Sequence, residues 1–323
     1  MLESIGYFAL GLFLLLLGGD SVVKGASGLG QRLGLSPFAA GLLLIAFATS
    51  IPELAVNAYA WNAGQSDLAF GNAIGSNIVN IGLTLGVAAF AAPLLLGMRV
   101  LAAEVVLILV ASGMVLFFGL DGVIARWEGG VLLAGFVGFV AFVFRRGHQE
   151  SAAVQAELVD FAETRTGLAQ NLIRLAIAAA VLFFGAKYVV AGAPAIGQAL
   201  GFGSMMTGLL VVAIGTALPE VVVAVLAARG GQGNVVAGHA LGACLFNLLF
   251  IVGGMAVLQP LKTLHPLPIP ASFVTLELPA AMAFALALVP MLAGDLRLSR
   301  REGGILVVLF ALWVGFECFS VWR

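Results

Sequence analysis

Two stretches of this chain carry the same residues at the same spacing, 167 positions apart. Residues 48–53 read ATSIPE and residues 71–80 read GNAIGSNIVN; residues 215–220 read GTALPE and residues 238–247 read GHALGACLFN. Thr49 recurs as Thr216, Pro52 as Pro219, Glu53 as Glu220, Gly71 as Gly238, Gly75 as Gly242, Asn80 as Asn247 and Gly86 as Gly253. No gap is needed anywhere in the match. A Pro-Glu pair in the middle of an apolar stretch is unusual once. Repeated in register, it demands a fold made of two copies of one unit, each built around a carboxylate.

The surroundings of that carboxylate are set by composition. Residues are 62% hydrophobic and only 10% charged, against roughly a quarter charged in soluble domains. Apolar runs of about 20 residues, the length that crosses a ~30 Å hydrocarbon core as a helix, fall near 5–28, 36–61, 68–94, 98–119, 126–145, 170–196, 204–228, 234–259, 270–293 and 303–321. The class is therefore an all-α polytopic membrane protein with ten transmembrane helices, placed in the cell (inner) membrane. Gly at 42 of 323 residues suits close contact between helices through small residues. The first run follows a short start with no basic region or cleavage site, so it reads as a permanent span rather than a signal peptide. Cys244 and Cys318 give neither a disulfide framework nor metal-ligand spacing, and a net charge of −1 excludes a nucleic-acid partner.

Residues 1–146 hold five spans, 147–168 form a connector and 169–323 hold five more. The polar join carries Glu150, Glu157, Asp160 and Glu163 beside Arg145, Arg146 and Arg165, and is compatible with a short surface helix. Placing the N-terminus outside puts eleven Lys and Arg on the inner side, Arg99 and Arg165 among them, against Arg126, Lys262 and Arg323 on the outer. An odd number of spans per half makes the second copy enter from the opposite face. Two inverted five-helix repeats meeting at the bilayer midplane are a transporter plan; a cation channel has less reason to use it. A metal-dependent hydrolase lacks the His or Cys ligands and nucleophile pair it needs.

Pro52 cannot donate to the carbonyl of Ala48, nor Pro219 to that of Gly215, so a helix interruption is expected at each. Backbone left unpaired at membrane depth must line a polar cavity. Carboxylate, hydroxyl and carbonyl oxygens gathered there are hard donors, the ligands of Ca²⁺ and the alkali cations. In the following span of each repeat Gly71 and Gly75, and Gly238 and Gly242, share a face and allow close helix approach. Asn80 and Asn247 either aim amide oxygens at the ion or join helices.

At these residues the chain resembles the cation/Ca²⁺ antiporter superfamily, in particular its compact prokaryotic Na⁺/Ca²⁺ exchangers. The resemblance implies Ca²⁺ export in exchange for Na⁺ by alternating access, with helices two, three, seven and eight holding the ions and helices one and six sliding as a gate. It implies Glu53 and Glu220 as shared Ca²⁺ and Na⁺ ligands, with oxygens from Thr49 and Thr216, the carbonyls of Ala46 and Ala213, and Ser50, Ser76, Asn80 and Asn247. No cofactor is implied beyond the transported ions. The second repeat departs from the pattern: Ala217 stands opposite Ser50, Ala243 opposite Ser76, and His239 where Asn is usual. Losing two hydroxyls leaves a Ca²⁺ site intact and depletes the Na⁺ sites, which favours H⁺ as the alternative coupling ion.

Other polar residues within spans have simpler expectations. Asp20 and Lys24 form an i, i+4 ion pair. Glu104 and Glu277 lie inside spans at non-equivalent positions, and Glu317 sits near a membrane edge where water can reach it. His239 is read as hydrogen-bonded to a neighbour, or else as a proton acceptor beside the site. Two carboxylates at mid-membrane are costly to leave bare, so an empty carrier resists changing sides and obligatory exchange is expected.

Overall fold

A computed structural model of the protein describes residues 1–33, 37–97, 100–147, 149–162, 166–292 and 296–321. Arg99, Glu163, Arg165 and Arg323, used in the charge reading, lie outside these residues. Among the described residues nine helices are long and apolar enough to cross a membrane. They are α1 (Leu2–Arg32), α4 (Ser66–Ala91), α5 (Val100–Phe118), α6 (Arg126–Gly147), α8 (Leu168–Ala199), α9 (Ser204–Arg229), α10 (Gly233–Thr263), α11 (Phe273–Leu292) and α12 (Arg300–Val321). Three shorter helices lie among the described residues: α2 (Pro37–Ala46), α3 (Ile51–Asn62) and α7 (Ala152–Ala162).

The expected span at 36–61 is thus two helices, α2 and α3, separated by a 3₁₀ turn at Ala48–Ser50. Pro52 falls in the first turn of α3, where a missing N–H removes no helical bond. The matching interruption at Pro219 is not present. Pro219 lies inside an uninterrupted α-helical run, Ala213–Arg229, and the irregularity in α9 is instead a π-helical turn at Thr207–Val212. Further π turns occur at Asn80–Leu85 in α4 and Phe246–Ile251 in α10, positions that correspond between the two halves.

Helices α4 and α10 are buried along most of their length, whereas α1, α6 and α12 are largely exposed. Around this hub the packing is reciprocal: α4 lies against α12, and α10 against α6. Leu94–Leu95 pairs antiparallel with Arg297–Leu298, and Val123–Ile124 with Leu267–Pro268, so each ladder ties a loop of the first half to one of the second. Glycine brings the hub helices together. A Cβ at Gly71 would strike the carbonyl of Met205, one at Gly75 that of Leu209, and one at Gly208 that of Leu68, so α4 and α9 cross backbone to backbone. Gly238 and Gly242 are buried on α10, which packs against α2.

The longest pair, α1 and α8, lie side by side on the outside of this hub. Gly11, Gly18 and Gly25 recur every seventh residue along one face of α1. A Cβ there would come within 2.6 Å of Val189 N, 2.7 Å of Leu182 Cγ and 2.9 Å of Leu175 Cγ respectively. Alongside these glycines Leu15 packs on Gly185, Phe8 on Gly192, and the Tyr7 ring stacks on Tyr188 with centroids 5.6 Å apart. Toward the hub, Gly19 faces Pro52 and Gly215 faces Phe8.

The connector helix α7 is docked rather than free. Leu158 is fully buried, Ser27 Oγ and Gln31 Nε2 of α1 both donate to the Ala162 carbonyl, and Arg32 Nε donates to Thr166 O at 3.1 Å. Glu157 in turn accepts from Asn234 Nδ2 at 2.7 Å and Val235 N at 3.2 Å, filling bonds that the first turn of α10 leaves open.

Candidate ion-binding site

The broken segment α2–α3 and the continuous α9 bring the two motif glutamates, Glu53 and Glu220, close enough for their carboxyls to act on one another. Glu53 is 4% exposed. Among the described residues neither glutamate has a Lys or Arg within ion-pair distance; the basic group that reaches one is His239, whose Nε2 lies 3.2 Å from Glu220 Oε2. Two adjacent carboxyls without a fixed countercharge are costly to bury in their charged forms.

The donors expected around them are buried, and several lack partners. Glu53 Oε2, Ser50 Oγ, Ser76 Oγ and Asn247 Oδ1 are enclosed oxygens with no hydrogen bond. Such groups are costly to bury bare, and these four lie on the elements that carry the two carboxyls or pack against them. Asn247 Nδ2 donates to Asn77 Oδ1 at 3.0 Å, which fixes the amide and leaves its Oδ1 without a partner. Thr216 Oγ1 donates to Val212 O at 3.0 Å and Ala213 O at 3.2 Å, which leaves its lone pairs for a ligand. Ala213 follows the π turn and Ala46 ends α2 just before the 3₁₀ turn, so both carbonyls sit where the helical register changes. Asn80 is buried on α4.

A cavity of about 260 Å³ reaches part of this set. Thr49, Thr216, Glu220 and His239 line it, together with residues of α1, α9 and α10, Asp20 among them, and with Phe161 of the connector helix. Glu53, Ser50, Ser76, Asn80 and Asn247 are not on its wall. Of the expected site residues the cavity thus reaches mostly those of the second motif, and those off its wall belong mostly to the first. Among the described residues no three His, Cys, Asp or Glu side chains cluster as a metal cage.

Sequence reading missed Asn77, which orients Asn247, and the pairing of Asn72 Nδ2 with Asn57 Oδ1 at 3.1 Å. Asn in an otherwise apolar span was the available signal. The Asp20–Lys24 pair forms at 2.7 Å on the surface. Glu317, expected to be solvated, is 1% exposed: its helix packs that side inward, so distance from the chain's end did not decide its burial. Glu104 and Glu277 are also buried, each with an oxygen lacking a partner.

A family model described as sodium/calcium exchanger protein matches residues 3–145 and 171–319, one stretch on either side of the connector. The chain belongs to the sodium/calcium exchanger family. CaxA of Alkalimonas amylolytica, provisionally named an antiporter, is 31% identical over 98% of each chain. The sodium/calcium exchanger MaX1 of Methanosarcina acetivorans is 29% identical over 95% of each. A solved structure of the sodium-calcium exchanger NCX_Mj, soaked with Na⁺ and Sr²⁺, superposes with a TM-score of 0.67 at 27% identity, covering 97% of this chain and 98% of that one. The protein is thus an integral multi-pass membrane antiporter of this family, a transporter class rather than an enzyme class.

Proposed function

We propose that this exchanger-family antiporter exports Ca²⁺ in exchange for Na⁺ by alternating access, with Glu53 and Glu220 as ligands shared by both ions. The observation that carries this reading is the facing pair of carboxyls amid the unpaired oxygens of Ser50, Ser76 and Asn247. Thr49, Thr216, Asn80 and the carbonyls of Ala46 and Ala213 complete the proposed ligand set. Hard oxygens around two negative charges suit one Ca²⁺ or two monovalent ions. Bare, the pair opposes gate closure, which makes exchange obligatory. The reciprocal packing and the two loop ladders support two inverted five-helix repeats, 1–146 and 169–323, with α2 and α3 counted as one broken span of ten. The glycine seam suits α1 and α8 as the sliding gate. With the N-terminus outside, the cavity beside the connector opens inward, toward the cytoplasm.

Apolar Ala217 and Ala243 in place of hydroxyls favour a second reading, H⁺ as the coupling ion. Ca²⁺ uptake into proteoliposomes, driven in turn by an outward Na⁺ and an outward H⁺ gradient, separates the two. Uptake with Na⁺ alone supports the first reading and uptake with H⁺ alone the second. Uptake that needs no counter-ion would sink both in favour of a channel.

A further inference from the structure

His239 holds the position equivalent to Asn72, and the two behave differently. Asn72 donates to Asn57 within its own half of the chain. The counterpart of Asn57 is Ala224, which has no polar group to offer. The His239 ring instead spans the site, with Nδ1 2.7 Å from Thr49 Oγ1 of the first repeat and Nε2 3.2 Å from Glu220 Oε2 of the second. It stands on the wall of the same cavity as Thr49, Thr216 and Glu220. A nitrogen donor therefore faces the chamber through which a cation reaches the carboxylate.

From this arrangement we propose that His239 is a nitrogen ligand to the transported ion, and that it makes divalent cations of the first transition row substrates alongside Ca²⁺. The inference rests on the proposed cargo role of Glu220. A cation between Nε2 and the Glu220 carboxylate leaves the ring proton on Nδ1, which donates to the Thr49 hydroxyl oxygen. This second bond fixes the tautomer, as orienting partners of metal-bound imidazoles do. Ca²⁺ takes oxygen ligands and gains little from imidazole. Metals from Mn²⁺ toward Co²⁺ bind a mixed nitrogen and oxygen set with rising affinity. Asn72, on the first-repeat side, supplies no such nitrogen.

The test is competition by Mn²⁺ and Co²⁺ against exchange of radiolabelled Ca²⁺ into Ca²⁺-loaded proteoliposomes, a format independent of the coupling ion. The wild type is expected to be inhibited at lower Co²⁺ than Mn²⁺ concentrations. His239→Asn should lower the preference for Co²⁺ over Ca²⁺ by about tenfold, the factor for about 1.4 kcal/mol of lost ligation. Pulsed electron paramagnetic resonance of the Mn²⁺-loaded wild type should show coupling to an imidazole nitrogen, and the variant should not. An unchanged Co²⁺ to Ca²⁺ preference in a variant that still exchanges Ca²⁺ overturns the inference and leaves the exchanger reading standing. If the variant does not fold, absence of nitrogen coupling in the wild type overturns it. Ca²⁺ exchange unaffected by Glu53→Gln/Glu220→Gln would instead remove the reading beneath it.

Discussion

The same motif is built in two ways. In the first half ATSIPE breaks its span: α2 ends, a 3₁₀ turn covers Ala48–Ser50, and α3 begins with Pro52 in its first turn. In the second half GTALPE stays inside one helical run, with Pro219 in its interior. Ala217 has the highest helix propensity of any residue, whereas Ser50 competes with the helix through its own hydroxyl. Tertiary contacts reinforce the break. Phe47, just before the turn, packs its ring 5.0 Å from Phe136 and 6.0 Å from Phe139, and its counterpart Ile214 has no ring to anchor. The comparison teaches that an internal repeat can keep Thr, Pro and Glu at matched positions while the backbone that presents them differs.

The sharpest way to break this comparison is to remove what the halves share. Glu53→Gln/Glu220→Gln should reduce Ca²⁺ flux to the protein-free background while the chain still inserts and elutes as a single species. The next largest effect is expected where the halves touch. Gly75→Leu or Gly208→Leu forces a side chain into the opposing backbone, an overpacking cost of about 1–3 kcal/mol or more. Both should lower the melting temperature in detergent, while Gly113→Leu, which meets nothing within 4 Å, should leave it nearly unchanged.

Giving the second half the first half's hydroxyls sharpens the question of coupling. Ala217→Ser with Ala243→Ser should lower half-saturating Na⁺ by about fivefold, the factor for about 1 kcal/mol of added coordination, measured as Na⁺-driven Ca²⁺ uptake. No change in Na⁺ dependence would count against Na⁺ ligation at these positions. The smallest effect is expected from Asn57→Ala, which copies Ala224 into the first half. Loss of the 3.1 Å bond from Asn72 costs about 1 kcal/mol, read as a modest fall in thermal stability with exchange retained.

Much of the architecture was legible because hydrophobic length and spacing are local properties. Each long helix lies within a few residues of an apolar run, and the site elements lie at the registered motifs. Legibility failed where an outcome depended on what a side chain meets. Pro219 reads like Pro52, yet its helix continues, since neighbours rather than the proline set where a span breaks. Glu317 reads as a span-end residue, yet packing buries it.

By itself, then, the sequence determined that the chain crosses the membrane repeatedly, that its halves are copies, and which glutamates are paired across them. These follow from transfer free energy and from the rarity of a carboxylate in an apolar run. Only the tertiary structure decided that one copy breaks and the other does not, that Asn77 aims Asn247, and that His239 reaches across to Thr49 and Glu220. Those outcomes depend on distances between residues remote in the chain, and no local pattern encodes them.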